Sequence, residues 1–134
     1  AKLRTDPRVV LREGVNARLL SRAEVPEPCS LLVADVSFIS LRLILPAAVP
    51  LLDARAEALL LVKPQFESER GEVGKGGIVR DPDVRTRALE RVVSAAVALG
   101  LTHVGTVPSP ITGADGNVEL LAAFRRDARP GGSD

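Results

Sequence analysis

The stretch Ala58-Leu-Leu-Leu-Val-Lys-Pro-Gln-Phe-Glu67 decides the fold. Its all-aliphatic half, 58–62, reads as a short strand buried on both faces. Lys63 follows directly and so stands at the carboxyl edge of a sheet, where open α/β folds place their ligands. A second apolar run, Leu31-Leu-Val-Ala-Asp35, ends in the same way on a carboxylate. A third segment, Gly116-Asn-Val-Glu-Leu-Leu-Ala-Ala-Phe124, carries Glu119 near its start. One lysine and two acids, all at strand ends, point to a catalytic constellation rather than a solvated surface.

The wider composition is that of a soluble globular protein. The chain has 134 residues, 46% hydrophobic and 26% charged, enough for one domain with a real core. Three Phe and no Trp or Tyr leave the core to aliphatic side chains and weigh against single-strand binding by base stacking. A net charge of +1 creates no global field toward nucleic acid or membrane. Residues 1–22 are an exception: Lys2, Arg4, Arg8, Arg12, Arg18 and Arg22 face only Asp6 and Glu13, a local +4. A solvated face explains this more simply than phosphate contacts do.

Cys29 is alone, which rules out an internal disulfide and indicates a reducing compartment. One Cys and one His (His103) at distant positions do not make a zinc site. No signal peptide is visible. The longest apolar stretch, Leu41 to Leu52, is too short for a bilayer and holds Arg42, Pro46 and Pro50. A cytoplasmic protein without membrane contact is expected.

Along the chain, Val9-Val-Leu11 reads as a short strand, residues 18–24 as a helical turn and 30–35 as a strand. Ser37 or Ser40 offers an N-cap for a helix over 41–52, with Pro46 as a kink. After the 57–63 strand comes a glycine-rich loop, Gly71-Glu-Val-Gly-Lys-Gly-Gly77. It fails as a P-loop, because Glu69 and Gly76 stand where that motif needs glycine and Ser or Thr. A mobile loop over an active site fits better. Asp81-Pro82 starts a helix as N-cap and N1, and Val84, Ala88, Val92 and Ala96 form its apolar stripe until Gly100 stops it. Strands over 101–107 and 117–125 follow, then a disordered tail at 128–134 after a domain spanning 1–127. Alternating β and α elements imply a mostly parallel sheet with helices on both faces. The last two strands, joined without a helix, imply an antiparallel strand at one end.

Several strings, in order, resemble the later part of the hemolysin-A (TlyA) family of FtsJ-like RNA methyltransferases. They are Asp6-Pro-Arg-Val-Val10, Asn16-Ala-Arg18, Ala34-Asp-Val-Ser-Phe-Ile-Ser-Leu41, Val62-Lys-Pro-Gln-Phe-Glu67, Val73-Gly-Lys-Gly-Gly-Ile-Val-Arg-Asp-Pro82, Pro108-Ser-Pro-Ile111 and Gly116-Asn-Val-Glu119. The resemblance implies a Rossmann-like methyltransferase sheet whose terminal strand is antiparallel. It implies S-adenosylmethionine (SAM) as donor, the ribose 2′-hydroxyl of ribosomal RNA as acceptor, and ribosomal RNA or ribosomal subunits as partners. Of the family's lysine–aspartate–lysine–glutamate set, three members map here: Asp35, Lys63 and Glu119. Asn16 falls where related enzymes contact the adenine, and Asp35 also lies beside the methyl donor. The first lysine, the glycine-rich SAM fingerprint and the S4-like RNA-binding domain have no counterpart in these residues. The chain therefore reads as a fragment that lacks the first strands, is inactive by itself and binds SAM weakly or not at all.

The chemistry is consistent with those residue types. Methyl transfer from a sulfonium is an in-line displacement, so catalysis is mainly alignment plus removal of the hydroxyl proton. A neutral lysine accepts that proton where burial or a nearby positive charge favours its neutral form. Lys63 is the expected base, Asp35 its orienting partner, and Glu119 a positioner of the lysine or the ribose. Bland readings exist for each residue: Asp35 as a helix cap, Lys63 snorkelling to solvent, Glu119 as an exposed strand residue. Gln65 and Glu67 read as loop-shaping, Lys75 as a possible phosphate contact, and Arg80 as the partner of a nearby carboxylate. Two other classes compete. A non-catalytic α/β or RNA-binding module would leave a sheet edge open to pairing or homo-oligomers. A pore-forming cytolysin is opposed by the lack of spanning or amphipathic barrel segments.

Overall fold

The computed structural model describes residues 5–113 and 116–126. Four strands and three helices follow one another as β1 (Cys29–Ala34), α1 (Leu41–Ala48), β2 (Leu52–Val62), α2 (Pro64–Glu67), α3 (Pro82–Ala98), β3 (Leu101–Pro108) and β4 (Leu120–Arg126). The sheet order is β1-β2-β4-β3. β1 and β2 pair in parallel, and β4 runs antiparallel to both β2 and β3. Three strands thus share one direction and only the last reverses. That reversed strand lies inside the sheet, between β2 and β3, and not at its end as the hairpin-like connection implies.

Local chemistry accounts for the element limits. Ser40 caps α1 by accepting from the Arg42 amide. α1 stops at Ala48 and passes into a single 3₁₀ turn, Val49–Leu51, where a helix to residue 52 is expected. Pro46 and Pro50 both lack the amide hydrogen that would continue the ladder. Asp81 caps α3, Pro82 opens it, and Gly100 follows its end at φ 96°. The stripe Val84, Ala88, Val92 and Ala96 is buried as its spacing predicts.

β2 starts at Leu52, five residues before the expected strand, because the inward alternation begins there: Leu52, Ala56, Ala58, Leu60 and Val62 are all buried. Arg126 also ties this start to β4 by donating to the carbonyls of Val49 and Leu52 at 2.9 and 2.7 Å. Their neighbours in the core are Leu45, Val49, Val92, Ala96, Ala122 and Phe124. α3 packs against α1, β2 and β3, so the described helices gather on one face. The opposite face leaves Leu31, Val33 and Leu59 exposed. Strand 58–62 is therefore buried on one face only, since no described helix covers the other.

Val9-Val-Leu11 is not a strand. All three side chains are exposed, with neither a partner strand nor a packed surface to hold an extended ladder. Residues 18–24 likewise form only a one-turn 3₁₀ helix, Ala17–Leu19, followed by a turn. The expected strand over 117–125 starts at Leu120, because Asn117 and Glu119 carbonyls are already taken by the amides of Gly113 and Ser109. The 128–134 tail, Lys2 and Arg4 lie outside the described residues.

Candidate active site

Parallel pairing places the carboxyl ends of β1 and β2 side by side, with Ala34 opposite Leu60. Asp35 and Lys63 are the next residues out of each strand. Lys63 Nζ lies 2.7 Å from Asp35 Oδ1 and donates to Ser37 Oγ at 2.9 Å. The lysine side chain is 12% exposed and the aspartate 65%. Lys63 therefore does not snorkel into solvent, and Asp35 caps no helix, since Ser40 performs that task. An ion pair with so open a carboxylate stabilises a fold by roughly 1 kcal/mol at most. Stability alone is a poor reason to hold it at this edge.

Glu119 reaches the same edge from the other side of β2. Val62 pairs with Leu120, so Glu119 occupies the register position beside Lys63. Far from being an exposed strand residue, it is 7% exposed. Its carboxylate lies over Gly113, where a Cβ would fall 1.8 Å from Oε2. Gly113 thus leaves the space this side chain fills. Among the described residues no ion pair joins Glu119 to Lys63. Asn16 is exposed on the turn before Ala17, its Oδ1 accepting from the Arg18 amide at 3.0 Å. Among the described residues no hydrogen bond joins it to the Asp35–Lys63 pair.

The two loops that carry Asp35 and Lys63 are bound together at further points. Phe38 and Phe66 pack as a tilted pair, with ring centroids 5.0 Å apart and planes at 49°. Glu67, only 2% exposed, accepts from Ser40 Oγ and from the Leu41 amide, the latter at 2.7 Å. Burial raises the pKa of this carboxyl, against the opposing pull of those hydrogen bonds and of Arg42. Phe38 is the one non-glycine at positive φ (64°) among the described residues, and the residue is 89% exposed. A strained backbone and a bare aromatic ring, side by side with a charged pair, mark functional edges more often than structural ones.

The Phe38–Phe66 pair separates two clefts. One, of about 600 Å³, is lined by Arg18, Phe38, Ser40 and Phe66. The other, of about 280 Å³, is lined by Phe38, Gln65, Phe66, Gly76, Gly77 and Asn117. Gln65 Oε1 is buried there without a hydrogen-bond partner. The glycine loop that walls this second cleft is pinned by Asn117, which accepts from the Val79 amide and donates to the Gly77 carbonyl, both at 2.9 Å. Lys75 is exposed on that loop. Arg80 donates to the Lys75 carbonyl at 3.4 Å, and among the described residues no carboxylate pairs with it. The carboxylates of this region are taken by α3: Glu72 pairs with Arg87 and Arg91 at 3.0 and 2.9 Å, which draws its pKa down to about 2.

Sequence reasoning missed Phe38 and Asn117 as parts of this arrangement and read Glu67 as loop-shaping without its partners, Ser40 and Leu41. The signals were present only as members of longer strings, and their roles depend on contacts 26 to 40 residues away. His103 is structural, with Nε2 2.7 Å from Thr106 Oγ1 and its ring against Phe124.

A sheet of parallel strands with a reversed last strand is the layout of a Rossmann-like methyltransferase. The comparisons give that class a family: residues 1–126 match the FtsJ-like methyltransferase model, and the chain belongs to that family. It is 48% identical over 123 residues to the 16S/23S rRNA (cytidine-2′-O)-methyltransferase TlyA of Mycobacterium tuberculosis, covering 92% of this chain and 46% of that protein. It is 43% identical to Hemolysin A of Brachyspira hyodysenteriae, covering 92% and 52%. The crystal structure of a hemolysin-named protein from Lactococcus lactis superposes with a TM-score of 0.89 at 43% identity, covering 94% of this chain and 61% of that one. The chain spans about half the length of the curated relatives it matches. Among the described residues no helix is long and apolar enough to cross a membrane.

Proposed function

We propose that this chain carries the catalytic edge of a SAM-dependent ribosomal RNA 2′-O-methyltransferase. The observation that carries the reading is the Lys63–Asp35 pair, held at 2.7 Å where two parallel strands end. Bound SAM supplies an electrophilic methyl group on a sulfonium sulfur. Asp35 suits such a neighbour, because one oxygen holds Lys63 while the rest of the carboxylate is open to a cationic group.

Lys63, in its neutral form, takes the proton of the ribose 2′-hydroxyl at Nζ as the oxygen acquires its methyl group. Asp35 orients that amine, and Glu119, at the adjoining register position, positions the lysine or the ribose. Asn16 offers its side-chain amide to the adenine edge. Phe38 gives a base beside the target ribose a stacking surface, and the unpaired Gln65 Oε1 offers an acceptor to a base amino group. Lys75 is placed to meet RNA phosphate. Ribosomal RNA as substrate implies the compartment of the ribosome, the cytoplasm.

The test is methyl transfer by the full-length protein from labelled SAM to ribosomal RNA, with the product mapped by its resistance to alkaline cleavage. Label at a ribose 2′-oxygen supports the reading. Label on a base, or no transfer, contradicts it.

A further inference from the structure

We propose that Ser37 is a positioning residue for the methyl-transfer reaction: its hydroxyl, together with Asp35, locks Lys63 Nζ so that the lone pair faces the ribose hydroxyl. The proposal rests on the reading of Lys63 as the base. A neutral amine nitrogen has four tetrahedral corners, occupied by Cε, two hydrogens and one lone pair. Ser37 Oγ accepts one hydrogen at 2.9 Å, and Asp35 Oδ1, 2.7 Å from the nitrogen, stands within reach of the second. Only the lone pair then remains to meet a substrate proton. With Asp35 alone, the amine would rotate about Cε–Nζ and present hydrogen or lone pair in turn, and proton transfer depends on that alignment.

The surrounding loop is built to hold the hydroxyl there. Helix capping falls to Ser40, which leaves Ser37 free of that role. Immediately after Ser37 the backbone enters the left-handed region at Phe38, φ 64°. That turn is retained by the Phe38–Phe66 ring contact and by Glu67 gripping Ser40 Oγ and the Leu41 amide. The strain therefore sits next to the one serine whose hydroxyl meets Nζ, and the anchors lie on the segment that carries the lysine.

Three variants of the full-length protein test this: Ser37→Ala, Ser37→Thr and Lys63→Ala. The readouts are kcat and KM for ribosomal RNA, SAM affinity by calorimetry, and the side-chain order parameter of Lys63. The last comes from 13Cε-lysine NMR, with the signal assigned by its loss in Lys63→Ala. Ser37→Ala is expected to lower kcat about 10- to 100-fold at constant KM and SAM affinity, with a lower order parameter at Lys63. Ser37→Thr, which keeps the hydroxyl, restores both. Unchanged kcat in Ser37→Ala overturns the proposal. So does a joint loss of kcat, KM and SAM affinity without rescue by threonine, which is the mark of mere loop shaping. Full activity in Lys63→Ala overturns the base itself, an outcome distinct from either.

Discussion

Glu67 shows how one side chain couples the two loops of the site, and its protonation makes that coupling measurable. Burial raises its pKa above 4.5, so the folded carboxyl keeps its proton at pH values where the unfolded one has lost it. Stability from this group is complete below 4.5 and declines as pH rises through the folded value. Glu67→Gln cannot titrate. The thermal midpoint of that variant, measured relative to the wild type, should therefore climb as pH increases above 4.5. A difference that stays constant from acid to neutral pH would contradict this account of the buried carboxyl.

At the level of elements, Asn117 pins the glycine loop from a segment 38 to 40 residues further along the chain. Asn117→Ala leaves the Val79 amide and the Gly77 carbonyl without their partner, a loss of about 1–3 kcal/mol. Thermal unfolding should register it, and hydrogen exchange at Val79 should accelerate; unchanged exchange would show that the loop is held elsewhere. The loop illustrates where the sequence is readable. Lys63 and Asp35 stand out because each ends an aliphatic run, and strand ends of neighbouring parallel strands must adjoin. The α3 stripe and its Asp81 and Gly100 limits are legible for the same local reason. Asn117, Glu67 and the left-handed Phe38 are not legible, since each acquires its role from a segment far along the chain. Val9-Val-Leu11 fails in the opposite sense: its strand propensity is clear, but no described strand pairs with it.

Among the described residues, one face of the sheet is covered by helices and the other is bare. Leu31 and Val33 are exposed on β1, whose outer edge has no described partner strand. Such an edge favours pairing with another chain. Sedimentation of this chain should reveal association that Val33→Lys reduces; a strictly monomeric wild type would contradict the expectation. The charged pair stands at the carboxyl end of this same sheet, and the central claim is that Lys63 removes the ribose proton there. The most direct measurement is the single-turnover rate of 2′-O-methylation of ribosomal RNA by full-length wild type and Lys63→Ala, with SAM binding measured in both. The account predicts a rate loss of about 10²- to 10⁴-fold in the variant at nearly unchanged SAM affinity. Methylation by Lys63→Ala at the wild-type rate would contradict it.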